Sequence, residues 1–153
     1  MSSGDNLRKL VEAEGPEDPD YLLQDQVGFI LRKAHQRHVS IFGSRIADLT
    51  PPQFAALAKL RDAGETSQNQ LGTMIAMDAA TVKGVIDRLK SRGLVELSRH
   101  GVDRRRLLVN LTPEGRAAIE RLIPLAREIT QETLAPLSAK EIATFMKLLA
   151  KLS

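Results

Sequence analysis

The stretch "DAATVKGVIDRLKSRGLVELSRHGVDRRRLLVNLTPEG", residues 78–115, decides the fold. Asp78 is a residue of N-capping type, and Val82, Val85, Ile86 and Leu89 follow three and four positions apart until Gly93 ends the run. This is an amphipathic helix with its own start and stop signals. Next, "LVELSRH" and "RRLLVNLT" are short and rich in leucine or β-branched residues. With "GVD" between them they spell two strands and a turn, and Leu107, Val109 and Leu111 alternate with Leu108 and Asn110 in the second strand. Thr112 before Pro113 then caps a further helix.

Working outward toward the N-terminus, "SQNQLGTMIAM" reads as a helix capped by Ser67, with Leu71, Met74 and Ile75 on its buried side. "TPPQFAALAKLRDAG" is another, running from the cap Thr50 to Gly64. From Tyr21 to about Ile46, the apolar positions Val27, Leu31, Ala34 and Ile41 predict a long amphipathic helix. Residues 1–19 end in "GPEDPD" and read as a flexible tail. Toward the C-terminus, "PEGRAAIERLIPLAREITQETL" is a long helix with a kink expected at Pro124. A last helix, "SAKEIATFMKLLAKL", gathers Ile142, Phe145, Met146, Leu149 and Leu152 on one face.

The expected fold is mainly α with a small β-hairpin (α+β). A helix pair followed by a hairpin is the winged helix-turn-helix order. One domain is expected over 20–153, with a winged lobe at 50–112 flanked by helical regions at 20–47 and 113–153. The apolar stripes of those flanking helices exceed what the lobe can cover, so a second copy of the chain is the economical partner.

Composition narrows the function. The chain of 153 residues has no cysteine, which excludes disulfides, thiolate metal sites and thiol redox chemistry and fits a cytoplasmic protein. No run approaches the roughly 18 apolar residues of a membrane span, so no membrane role is expected. Between Lys83 and Arg106 lie eight basic residues (Lys83, Arg88, Lys90, Arg92, Arg99, Arg104, Arg105, Arg106) and three acids (Asp87, Glu96, Asp103). That is a local +5 in a chain of net charge +3, leaving −2 elsewhere. The asymmetry fits a polyanionic partner, and equally a solvated basic face.

On the helix opened by Asp78, residues placed 100° apart put Ala80, Thr81, Lys83, Gly84, Asp87 and Arg88 opposite the apolar side. A small, partly basic surface lets a helix seat in the major groove of double-stranded DNA: Thr81, Ala79 and Ala80 can meet thymine methyls, and Lys83 a guanine or phosphate. Gly84 inside a helix costs about 1 kcal/mol relative to alanine, which close approach to its backbone would offset. Read alone, the alanines are also simply good helix formers and Gly84 a tolerated defect. The hairpin tip discriminates, because arginines there do little for stability in exposed ion pairs. They can, however, enter a minor groove or neutralise phosphates. Arg99, Arg104, Arg105 and Arg106 are therefore candidate DNA contacts, with Asp103 expected to hold one guanidinium.

These motifs, "TVKGVIDRLKSRGLV", "DRR" at the wing and "VNLTPEG", resemble the MarR family of bacterial winged-helix transcription regulators, over about residues 21–152. The resemblance implies a homodimer with interleaved terminal helices, acting as a repressor released from a pseudo-palindromic operator by a small anion. Half-sites would lie about 10 bp apart. It also implies that the residues around Asp78 to Gly84 read bases, that Ser67, Gln68 and Asn69 approach the DNA backbone, and that Arg105 enters the minor groove. Arg88 would pair with an acid or a phosphate. Gly84 departs from the family pattern, where a larger, basic residue is common.

His35 and His38, three apart with Phe42 on one helix side, admit three readings: interface histidines, donors to an anionic effector, or metal ligands lacking visible partners. Arg37 and Arg45 are further candidates to meet a carboxylate. An aromatic acid or its coenzyme A thioester is the expected effector. No cofactor is expected, nor any metal. With no nucleophile elbow, phosphate loop or catalytic carboxylate pair, the sequence offers no enzyme chemistry. A winged helix used for protein contact is the competing reading, and it would place apolar anchors where this chain places arginines.

Overall fold

The computed structural model describes residues 20–153, so the tail expected over residues 1–19 lies outside the described residues. The chain divides into two compact units after Gln36.

In the first unit, a 3-10 turn at Leu23–Asp25 precedes helix α1 (Val27–Arg45), which continues into the second. The helix thus begins six residues later than the periodicity predicts. Gln26 is extended (φ −81°, ψ 135°), and its side-chain amide donates to the Leu22 carbonyl at 3.0 Å, which breaks the helical path there. Val27 and Leu31, on the predicted apolar stripe, are exposed, as is Ile30.

The second unit, Arg37–Ser153, carries the core. Its elements are the rest of α1, α2 (Pro51–Ala63), β1 (Thr66–Ser67), α3 (Gln68–Met74), α4 (Ala79–Ser91), β2 (Val95–Arg99), β3 (Leu107–Leu111), α5 (Pro113–Leu134) and α6 (Ala139–Lys151). The helices start where the sequence places their caps. Thr50 and Gln53 form a reciprocal capping box, as do Ser138 and Glu141, while Thr112 accepts from the Gly115 amide at 3.0 Å. The Ser138 amide draws the Glu141 carboxyl below the usual carboxylate range.

The sheet has three antiparallel strands in the order β1-β3-β2, one more than the expected hairpin. Thr66 and Ser67 pair with Val109 and Leu108, and a two-residue strand defined only by that distant pairing leaves no local periodicity to read. The second hairpin strand begins at Leu107 rather than Arg105, because Arg104–Arg106 belong to the connecting loop. Met74, predicted to be buried beside Leu71, is 48% exposed. The helix ends there, Ala76 takes a left-handed φ of 55°, and the chain turns so that Ile75 and Met77 pack against the core instead.

Core side chains from α2, α3, α4, β3 and α5, among them Leu57, Leu71, Ile86, Val109 and Ile119, are fully buried. The base of the wing is stapled to α5. The Thr112 amide donates to the Leu94 carbonyl at 3.1 Å and the Thr112 hydroxyl donates to the Gly93 carbonyl at 2.6 Å. A Cβ on Gly115 would sit 1.9 Å from the Leu94 carbonyl oxygen, so only glycine permits this approach. Helix α5 remains continuous through Pro124. It is tied to α2 by Arg61–Glu120 at 2.6 Å, an ion pair that holds the Glu120 carboxyl below its ordinary range.

Candidate nucleic-acid interface

Helix α4 owes its placement to its apolar face. Val82, Val85, Ile86 and Leu89 are all buried, as the spacing predicts, so the opposite face is fixed toward solvent. Asp78 starts the helix by accepting from the Thr81 amide at 2.7 Å, and this bond draws its carboxyl below the usual range. Ala79, Ala80 and Thr81 are exposed. A Cβ added to Gly84 would meet nothing within 4 Å, so no contact among the described residues explains the glycine. Lys83 pairs with Asp87 at 2.8 Å across one helical turn, with the two side chains 67% and 51% exposed. Such pairs contribute about 0.3–0.5 kcal/mol, so Lys83 can be redirected to a phosphate at little cost.

Arg88 is exposed and makes no ion pair among the described residues. It lines a groove of about 490 Å³ with Arg92 and the α1–α2 loop, where Arg92 is bound to Asp48.

In the wing, residues 100–106 are held by a chain of internal hydrogen bonds. The His100 amide donates to the Arg106 carbonyl (3.0 Å), the Arg106 amide to the Asp103 carbonyl (3.1 Å), and the Arg99 guanidinium to the Arg104 carbonyl (2.9 Å). The amides of Val102 and Asp103 both donate to His100 Nδ1, at 3.2 and 3.0 Å. Asp103 does not hold a guanidinium: its carboxylate accepts from the backbone amide of Arg105 at 3.1 Å, a short-range turn bond that outcompetes a flexible side chain. The guanidinium groups of Arg104, Arg105 and Arg106 consequently have no partner among the described residues, and all three residues are exposed.

The fold brings the two predicted backbone-contacting regions together. Ser67–Gln70 and Arg105–Leu107 face each other across a groove of about 500 Å³. Within it Ser67 is buried, its hydroxyl committed to Gln70 as the α3 cap, while Gln68 is half-buried and Asn69 exposed.

The candidate effector residues fall elsewhere. Arg37 donates to the Glu132 carbonyl at 2.9 Å and to that of Thr133, and His38 Nδ1 lies 2.9 Å from the Thr133 hydroxyl. Arg45 bridges Glu128 (2.9 Å) and Glu132 (3.0 Å). Phe42 is buried edge-on against Phe54 with ring centres 6.0 Å apart. His35 is exposed and belongs to the first unit. Among the described residues, no three His, Asp or Glu side chains gather as a metal site, and no helix is long and apolar enough to cross a membrane.

Two features were not anticipated from the sequence. One is the strand at Thr66–Ser67. The other is the His100 clamp, whose only signal is an acceptor side chain two and three residues ahead of turn amides, the offset that asparagine and aspartate use in turns.

Comparison with known proteins places this geometry in context. Residues 49–107 match the sequence profile of the MarR family. The transcriptional repressor NicR of Pseudomonas putida is 41% identical over 148 residues, 95% of this chain and 94% of NicR. The structure of Bordetella bronchiseptica BpsR, described for the regulation of its DNA binding by 6-hydroxynicotinic acid, is 46% identical. It superimposes with a TM-score of 0.83 over 86% of this chain and 96% of BpsR. A cysteine-to-serine variant of Escherichia coli MarR complexed with operator DNA is 30% identical, with a TM-score of 0.77 over 82% of this chain and 91% of that one.

Proposed function

The chain belongs to the MarR family of transcriptional regulators, and from this we propose that it works as a homodimeric repressor released from its operator by a small aromatic carboxylate. The observation that carries the DNA-binding half is the set of three unpaired, exposed guanidinium groups on an internally ordered wing, in the same unit as a recognition helix whose outward face is small and open. Helix α4 would read the major groove through Ala79–Gly84, Arg105 the minor groove, and Gln68, Asn69, Arg104 and Arg106 the phosphates. Dimerisation would be supplied by the exposed apolar faces of the terminal helices, giving two recognition helices for a pseudo-palindromic site.

The effector half is supported by BpsR, whose DNA binding is regulated by 6-hydroxynicotinic acid. Arg37 and Arg45 are already engaged with α5, so a carboxylate entering there would have to displace Glu128 and Glu132 from Arg45. Exposed pairs of this kind are worth only about 0–1 kcal/mol, so the exchange is cheap. It would loosen α1 from α5, and differential affinity for the tight and loosened states is what couples ligand to DNA.

The test is to select bound duplexes from random DNA with the purified chain, then challenge the complex with 6-hydroxynicotinate, other aromatic acids and their coenzyme A thioesters. Release by an aromatic acid is the expected result, and an Arg45→Ala variant, which lacks both α1–α5 ion pairs from the start, should bind the duplex more weakly and respond less to the acid. Selection of no sequence would overturn the DNA-binding reading, and a complex indifferent to every acid would overturn the effector reading.

A further inference from the structure

We propose that His100 is the positioning residue of the wing: its unprotonated Nδ1 gathers the amides of Val102 and Asp103 and so sets the point from which Arg104, Arg105 and Arg106 leave the sheet. The proposal rests on the DNA-binding reading of the wing and adds to it a device that orders the wing before DNA arrives.

The chemistry at Nδ1 is unambiguous. Two backbone N–H groups point at one ring nitrogen, so that nitrogen accepts and the proton of the neutral ring resides on Nε2. Every other charged group of the loop is either committed to backbone or unpartnered. Arg99 holds the Arg104 carbonyl, the Asp103 carboxylate holds the Arg105 amide, and the guanidinium groups of Arg104–Arg106 make no hydrogen bond or ion pair among the described residues. His100 therefore joins the two ends of the loop, through its own amide to Arg106 and through its ring to Val102 and Asp103.

Without the ring, Gly101 and Val102, the latter 92% exposed, would have little to hold them. Ordering a backbone residue on binding costs about 1–2 kcal/mol, and a loop ordered beforehand avoids that cost. An aspartate could accept the same two amides, but its charge would repel the phosphates that the arginines are there to meet. A neutral imidazole supplies the acceptor without the charge.

The experiment uses the full chain and three variants. In His100→Asn, Oδ1 replaces Nδ1 at nearly the same reach. In His100→Gln the acceptor moves one bond outward, and in His100→Leu it is gone. Long-range ¹⁵N spectra of the free protein should show His100 as the Nε2–H tautomer, and a ring protonated on Nδ1 would overturn the clamp directly. Against a selected duplex, His100→Leu and His100→Gln should lose about tenfold in affinity, the cost of re-ordering one backbone residue. His100→Asn should stay within about twofold of the parent, the range of a neutral surface change. Rescue by asparagine but not glutamine separates acceptor geometry from bulk. A leucine variant that binds as tightly as the parent would overturn the positioning role alone. A parent chain that binds no duplex while keeping the Nε2–H tautomer would instead overturn the DNA-binding reading on which the role depends.

Discussion

At the wing, three guanidinium groups stand in water above a loop whose backbone is satisfied from within. Along α6, Phe145, Met146, Leu148 and Leu152 stand in water on a helix that buries no residue at all. Both surfaces lack a partner among the described residues, but the physics of waiting differs. A solvated arginine is content in water, so a wing can remain open indefinitely and engage a polyanion reversibly, with an affinity set by salt. Exposed apolar area costs about 25 cal/mol per Å² at all times, so an uncovered helix face calls for a permanent cover. Under the proposed function, the first surface would meet a transient partner and the second a constitutive one.

The strongest way to break this contrast is to charge the constitutive surface. Leu148→Glu should convert the proposed dimer to monomer, read by light scattering. It should also lower operator affinity by on the order of a hundredfold to ten-thousandfold, because each half-site must then be bound without the benefit of the other. A variant that stayed dimeric would show that α6 is not the permanent interface.

On the transient surface, Arg105→Ala should cost about 1–3 kcal/mol of operator binding and, if the arginine meets a phosphate, flatten the salt dependence by about one unit of slope. Folding stability should be nearly unchanged, since the exposed Arg105 side chain makes no hydrogen bond or ion pair with a described residue. A drop in thermal midpoint matching the loss of binding would mean the wing arginines serve the fold after all.

These two surfaces were unequally legible. The α4 face and the capping residues could be read because each depends on neighbours within one turn: the 100° periodicity of Val82, Val85, Ile86 and Leu89, and the three-residue reach of Asp78, Ser67 and Thr112. The charge of the wing was equally plain, but its internal wiring was not. Asp103 was expected to serve a guanidinium and serves a backbone amide, because turn geometry offers the nearer donor. The β1 strand was invisible because Thr66 and Ser67 become a strand only by meeting β3 some forty residues later in the chain. For the effector candidates, sequence could place cationic residues on one helix but not show their engagement with the end of α5.

Gly84 sharpens the contrast on the recognition helix. None of the described residues occupies the space a methyl group would fill, so Gly84→Ala should stabilise the fold by about 0.5–1 kcal/mol. If DNA approaches the backbone there, the same change should weaken operator binding. Stability and affinity would then move in opposite directions, which denaturant titration and a binding isotherm on one protein can read. Equal or tighter binding by the alanine variant would place the DNA away from this face.

The smallest expected effect concerns Asp78, an acid at the edge of a surface meant for phosphates. Its carboxylate stabilises α4 by accepting from the Thr81 amide, and that bond lowers its pKa. A group whose folded pKa is depressed stabilises above its unfolded pKa, and that stability is lost as pH falls through the lower, folded value. Asp78→Asn keeps a capping acceptor but cannot titrate. The parent should therefore be the more stable protein at neutral pH, and the gap should close in acid as Asp78 protonates. At neutral pH the variant should also bind DNA slightly more tightly, having removed a like charge near the phosphates. A gap independent of pH would show that the cap acts through its geometry alone, and unchanged DNA affinity in the variant would show that the negative charge at the helix start does not act on the interface.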